Sequence, residues 1–184
     1  ESEAWDLASS IGRLVPPAVA GSNRNPGAAP IAWTVPGFLG KVRILTSFGQ
    51  LPIEALRVND PVQTTTGRKL LVRRVKRLGL DRTFLQRHPD AHPIQISANA
   101  FGQGLPQQDL LVSPAQELTL GMANPGTAPV KARDIGICSV VRAIQPTTTY
   151  FSFDLGEPAY VYAEGIPVLI PGFQGASQED DDDE

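Results

Sequence analysis

The strongest constraint on this chain is its punctuation. From residue 37 onward, every apolar run ends within strand length at a glycine, a proline or an Asn/Asp turn signal. Ten segments read as strands on that basis: Lys41–Thr46, Leu51–Leu56, Val62–Thr65, Lys69–Leu78, Ile94–Ala98, Leu110–Val112, Glu117–Leu120, Ile137–Ile144, Tyr150–Leu155 and Tyr160–Tyr162. Between them lie turns such as Ser47-Phe48-Gly49-Gln50, Val58-Asn59-Asp60 and Thr66-Gly67. Short strands at this spacing predict an all-β domain, and seventeen glycines with seventeen prolines in 184 residues push the same way. No repeat of solenoid period runs through the sequence.

The length suffices for one domain with a buried core and appended segments. No apolar run approaches the ~20 residues that span a bilayer, so the chain reads as soluble. Ile166–Ile170, interrupted by Pro167, is only strand-sized. No signal peptide is visible; the chain starts at Glu1, which leaves a removed leader open. The net charge of −3 hides an uneven distribution. Glu179–Glu184 contributes six of the 19 acids, which leaves 13 acids against 16 bases in residues 1–178, a net +3. The acidic run reads as a solvated, disordered tail over 172–184. Its adjacent carboxylates lack the spaced ligands and turn glycine of a calcium loop.

Residues 1–36 differ in character. Trp5, Ala8, Ile11 and Val15 fall at helical spacing, and Pro16-Pro17 ends the pattern. Trp5, Ile11, Leu14 and Val15 are therefore a candidate docking arm, too short to be a stable helix alone. The following stretch to Pro36, rich in Gly, Pro, Ala and Asn, reads as linker without packed structure.

Three blocks carry a resemblance. VRILTSFGQLPIEALRVNDPVQTTTG, ISANAFGQGLPQQDLLVSPAQEL and TTTYFSFDLGEPAYVYAEGIPV occur in matching order and spacing. They resemble the Hint fold of Hedgehog autoprocessing domains and inteins, and more closely a bacterial Hint-domain group. The resemblance covers roughly residues 37–170 and implies a horseshoe-like β fold over 37–171. It also implies an acyl shift: a thiol at the first residue attacks the carbonyl just upstream, a histidine in the second block protonates the departing nitrogen, and backbone donors hold the oxyanion. Carried over position by position, the nucleophile falls on Gly37, which places the scissile bond at Pro36–Gly37. The second-block histidine falls on Gln116, and two further histidines fall on Ser152 and about Pro158. The turn and core positions Gly67, Gly104, Pro106, Asp109, Ala163, Glu164 and Gly165 are retained. The resemblance thus implies a retained fold that has lost its catalytic groups.

Other residues invite chemistry less strongly. His88 and His92 stand at the spacing of a helical metal pair, but Pro89 and Pro93 make that segment a loop, with no cysteine nearby. No cofactor is implied. Cys138 excludes an internal disulfide and, inside GICSVVRAI, reads as a buried structural thiol. Ser47, Ser113, Ser139 and Ser152 have no activating histidine in a Hint-equivalent position. Arg68, Lys69, Arg73, Arg74, Lys76 and Arg77 form a basic stripe within residues 68–87, opposed only by Asp81. Without interleaved aromatics apart from Phe84, the stripe reads as a solvated strand face rather than a nucleic-acid site. It suits an acidic partner or the chain's own acidic tail.

The expectation is a catalytically inactive Hint-like module that holds other protein subunits through its N-terminal arm or sheet edges. Slow self-cleavage at Pro36–Gly37, by water or a serine, and polyanion binding through the basic stripe are the alternatives.

Overall fold

Strand propensity and turn signals alternate so quickly along this chain that its sheets are built from many short pieces. The structure, a computed structural model, describes residues 32–120 and 128–172, within a unit that begins at Ala32. The arm residues Trp5, Ile11, Leu14 and Val15 and the acidic run 179–184 lie outside the described residues. In chain order the strands are β1 Phe38–Leu39, β2 Arg43–Thr46, β3 Gly49–Pro52, β4 Pro61–Gln63, β5 Lys69–Leu71, β6 Arg74–Leu80, β7 Ile94–Ile96, β8 Leu110–Val112, β9 Glu117–Leu118, β10 Val130–Lys131, β11 Val140–Arg142, β12 Thr148–Asp154, β13 Ala159–Ala163 and β14 Ile166–Ile170. The described α-helix, α1, is Arg82–Arg87; the Asp81 carboxylate caps it by accepting the Phe84 backbone N–H at 2.7 Å.

Two antiparallel sheets result. One has six strands in the order β11-β7-β8-β1-β12-β6. The other runs β10-β9-β14-β13-β2-β4-β5, with β3 paired to β2. The main core lies between residues of both, with Phe38, Ile96, Leu110 and Phe153 from the first and Ile44, Val62, Val161 and Ile166 from the second. Alternation along β12 sends Phe153 into this core and Tyr150 to the other face. There Tyr150 packs with Leu80, Leu85 and Ala91 in a smaller cluster.

Several sequence expectations change. Lys69–Leu78 is two strands in different sheets rather than one. The chain crosses at Val72, which is fully buried and bonds to the Asn59–Asp60 turn, and at Arg73, whose N–H donates to the Asp154 carbonyl at 2.7 Å. Leu51–Leu56 is split likewise, because Ile53 turns inward into a 3-10 helix over Ile53–Ala55. Ile137–Ile144 keeps only the three residues that pair with β7. Cys138 is consequently exposed, in the turn before β11, and not a buried thiol. The RHPDAHP segment is not an open loop: α1 ends at Arg87 and a 3-10 helix covers Pro89–Ala91. Residues 32–36, expected to be unpacked linker, lie against the domain through Trp33.

The retained signature positions have structural work. Glu164 stands at φ 49° and Gly165 at φ +83° in the β13–β14 turn, and a β-carbon on Gly165 would lie 2.7 Å from Cδ2 of Leu105. The Glu164 carboxylate is 1% exposed and accepts from the Arg43 backbone N–H at 2.9 Å and from the Arg43 guanidinium. The hydrogen bond to this carboxylate raises the Arg43 pKa above its ordinary value, against the desolvation that lowers it. Asp109 similarly accepts from Gln95 Nε2 and the Ala98 N–H, both at 2.9 Å.

His92 is buried beside Arg142, and its pKa is lowered, first by desolvation and then by the Arg142 charge. A depressed histidine contributes stability that is present above its unfolded pKa of about 6.5 and is lost as pH falls through the folded value. The protein is expected to lose stability on acidification below pH ~6.5, and His92→Gln to flatten that slope. Urea denaturation of both proteins at pH 7.5 and 5.5 checks this; parallel slopes would refute it. Among the described residues, no group of three His, Cys, Asp or Glu side chains could hold a metal. No described helix is long and apolar enough to cross a membrane.

Candidate functional site

β1 is the shortest possible strand, yet it is paired on both sides. Phe38 lies opposite Phe151 of β12 and opposite Val112 of β8. This places Gly37, just before β1, between two strands. Gly37 is buried, and its carbonyl accepts the Ser113 N–H at 2.8 Å. A β-carbon built on Gly37 would lie 3.0 Å from the Phe151 carbonyl oxygen and 3.3 Å from Cβ of Tyr150. Any side chain here therefore needs the β12 backbone to yield by a few tenths of an ångström.

The upstream flank is held by a strap over residues 32–36. The Trp33 ring meets Phe84 edge-on at 5.9 Å between centroids and leans on Tyr150 at 6.2 Å. Its Nε1–H donates to Ser113 Oγ at 3.0 Å and to the Val35 carbonyl at 2.9 Å. The Trp33 backbone N–H donates to Asp90 at 2.6 Å, and its carbonyl accepts from Arg133 at 2.7 Å. Ser113 Oγ donates in turn to the Val35 carbonyl. Ser113 thus grips both sides of the Pro36–Gly37 bond, by its hydroxyl upstream and by its backbone N–H downstream.

Gln116 follows three residues later, buried, with both protons of its side-chain amide committed. Nε2 donates to the Leu169 carbonyl at 2.8 Å and to the Glu117 carbonyl at 3.1 Å. Its backbone carbonyl accepts the Ala132 N–H at 2.9 Å. Ser152, on β12, stands opposite Lys76 of β6. Pro36, Gln116, Ser152 and Lys76 line one cavity of about 160 Å³, which Phe38 and Phe153 also line. The cavity therefore brings together two of the four positions that the resemblance aligns with catalytic residues, Gln116 and Ser152, with Pro36 and Phe38, the neighbours of the third, Gly37. Pro158 is apart from them, exposed in the β12–β13 turn. Within the cavity lining, Lys76 is the one titratable group and Ser152 the one hydroxyl. Neither histidine lines that cavity: His88 packs against Phe84, and His92 Nδ1 accepts the Gln145 backbone N–H at 3.4 Å.

The basic stretch is not the single strand face expected from the sequence. Lys69 belongs to β5 in one sheet, whereas Arg74, Lys76 and Arg77 belong to β6 in the other. Arg77 lies over the Phe151 ring at 5.7 Å, while Lys76 reaches the junction cavity. Three participants escaped sequence reasoning: Trp33 sat inside a linker composition, Ser113 drew notice only as an orphan nucleophile, and Lys76 only as surface charge. The β6–β12 register, which decides what faces Ser152, is the signal that would have found Lys76.

Solved structures of similar fold are inteins and an intein-like domain by name. The solution structure of a bacterial intein-like domain from Clostridium thermocellum is 13% identical, covers 76% of this chain and 100% of its own, and superposes with a TM-score of 0.49. The gp41-1 intein is 14% identical over 73% of this chain and 98% of its own, with a TM-score of 0.45. The MchDnaB-1 intein is 8% identical over 71% and 98%, with a TM-score of 0.46. No curated protein sequence matches the chain. The family description "Hint domain" matches residues 36–168, a span that begins one residue before Gly37 and ends within β14. With that match across most of its length, and the all-β fold built around the junction it starts from, the chain belongs to the Hint domain family.

Proposed function

We propose that this Hint domain does not process itself and works as a scaffold that holds the segment upstream of Gly37 in a fixed place for other protein subunits. The observation that carries the reading is the closed space at Gly37. An acyl shift needs a nucleophile within bonding reach of the Pro36 carbonyl. Here the position has no side chain, and a β-carbon would press on the β12 backbone, 3.0 Å from the Phe151 carbonyl oxygen. A histidine is likewise absent from position 116, where a carboxamide spends both its protons on carbonyls and has none to transfer.

What remains is the grip. Ser113, Arg133 and Asp90 bind the 32–36 strap through its backbone, and Phe84 and Tyr150 bind it through Trp33. In a processing domain such contacts present a bond for cleavage; without the nucleophile they anchor whatever precedes residue 32. The arm with Trp5, Ile11, Leu14 and Val15 would then be displayed to partner subunits from a rigid base. The experiment is intact mass spectrometry after incubation with hydroxylamine or thiol, which intercept an ester or thioester. The whole-chain mass supports the reading, and fragments that meet at Pro36–Gly37 refute it in favour of slow self-cleavage.

A further inference from the structure

The edge of a sheet is a row of unpaired backbone donors and acceptors, which proteins blunt with charge, proline or brevity. Most edges of the two sheets are blunted in this way. β5 carries Lys69, β6 carries Arg74, Lys76 and Arg77, β10 is two residues long and includes Lys131, and β3 runs into Pro52. β11, at the end of the six-stranded sheet, has none of these devices. Its one charge, Arg142, is turned back on its own molecule, where Nη1 donates to the carbonyls of Pro89 at 3.1 Å, Asp90 at 2.8 Å and His92 at 3.4 Å. Apolar side chains are exposed along this edge instead: Val141 is 50% and Ile144 73% accessible, with Ile137 exposed in the turn before.

The ladder to β7 fixes which backbone groups face outward. The Ser97 N–H donates to the Ser139 carbonyl at 3.0 Å, and the Ala143 N–H donates to the Pro93 carbonyl at 2.8 Å. The Gln145 N–H turns to the same side, toward His92 Nδ1 at 3.4 Å. Backbone groups alternate along an extended strand, so the N–H and C=O of Arg142 and Ile144 point away from β7. Among the described residues no other strand pairs there. The open stretch is also bounded: the Val140 N–H folds back to the Ile137 carbonyl at 3.0 Å, and Pro146 has no N–H to offer.

That edge is complementary to itself. Antiparallel pairing about a two-fold axis at Ala143 sets Arg142 opposite Ile144 of a second copy, and the two residues exchange both N–H···O=C bonds on each side of the axis. Each guanidinium stays on its own copy's carbonyls, so no like charges are set face to face. Ile144 comes to lie diagonal to Ile144 and Val140 of the second copy, which covers it. We propose that β11 is a homodimer contact, in which two copies pair along Arg142–Ile144 and join their six-stranded sheets into one. The contact is short against the roughly 1,200–2,000 Å² of a stable interface, so the dimer is reversible and depends on concentration. None of these residues lines the junction cavity, so the inference holds whether or not the Pro36–Gly37 bond is inert.

Analytical ultracentrifugation of the whole chain, from micromolar to near-millimolar concentration, should show a monomer–dimer equilibrium. Ile144→Lys sets a lysine diagonal to its own copy and should weaken the dimer at least ~10-fold. Because Ile144 is exposed, the melting temperature of that variant should stay that of the wild type. Leu71→Lys, an equally exposed change on β5, should leave the dimer intact. Amide exchange locates the contact: the Arg142 and Ile144 N–H groups should gain protection as the protein is concentrated, and the Arg142 N–H should not in Ile144→Lys. A spin label on Cys138, the single cysteine and an exposed one, should report a distance of roughly 30–35 Å to its copy, ten residues away along the strand axis. A chain that stays monomeric throughout would overturn the proposal. So would a dimer indifferent to Ile144→Lys, or one in which the Arg142 and Ile144 amides exchange as freely as in the monomer.

Discussion

Replacing Glu164 by Ala is expected to cost about 3–5 kcal/mol, the loss typical when one partner of a buried ion pair is removed. Glu164 is almost wholly buried and answers to Arg43 four times: through its carboxylate to the backbone N–H and to the guanidinium Nε and Nη2, and through its own N–H to the Arg43 carbonyl at 3.0 Å. The pair ties β2 to the β13–β14 turn, which in turn supports Gln107 through the Glu164 carbonyl. Arg43 is partly exposed and can find water once its partner is gone, so the lower end of the range is expected. Glu164→Gln, which keeps the shape and some of the hydrogen bonds, should cost less. In thermal denaturation the Ala variant should melt roughly 10 °C lower. A shift within a degree or two would mean that the Ala-Glu-Gly signature is held for something other than this lock.

Trp33→Ala is the second large effect, at about 2–4 kcal/mol for an aromatic side chain half-buried against two rings. The mutation empties the space between Phe84 and Tyr150 and removes the indole N–H from Ser113 and Val35. Trp33→Phe should recover most of the packing and lose only the hydrogen bonds, about 1 kcal/mol. Limited proteolysis gives the structural readout: in the Ala variant the 32–36 strap should become cleavable while the β domain stays resistant. If the domain unfolds as a whole instead, Trp33 belongs to its core and not to a strap laid upon it.

The signals that were legible from residues alone were those written in short range. Turn glycines and β-branched runs gave the all-β class, and Asp109, Glu164 and Gly165 stand in the turns where their types are needed. Failures came where tertiary contact overrules local pattern. Nothing within Lys69–Leu78 announces that Val72 dives into the core and splits the strand between two sheets. Nothing in GICSVVRAI distinguishes a buried cysteine from one lifted into a turn after Gly136. The site was half legible: Gln116 and Ser152 line one cavity with both chain neighbours of Gly37, because each sits at a fixed place relative to a strand end. Trp33 and Lys76 were not, since their roles depend on a long-range ring contact and on strand register.

The central claim is that the Pro36–Gly37 bond lies in a Hint frame with no group to break it. Intact mass spectrometry over days, with and without hydroxylamine, measures this directly. Wild-type protein is expected to keep one mass, that of residues 1–184 unbroken, with no hydroxamate on Pro36. Two fragments whose masses sum across Pro36 and Gly37, or a Pro36 hydroxamate, would contradict it and make this chain a working autoprocessor.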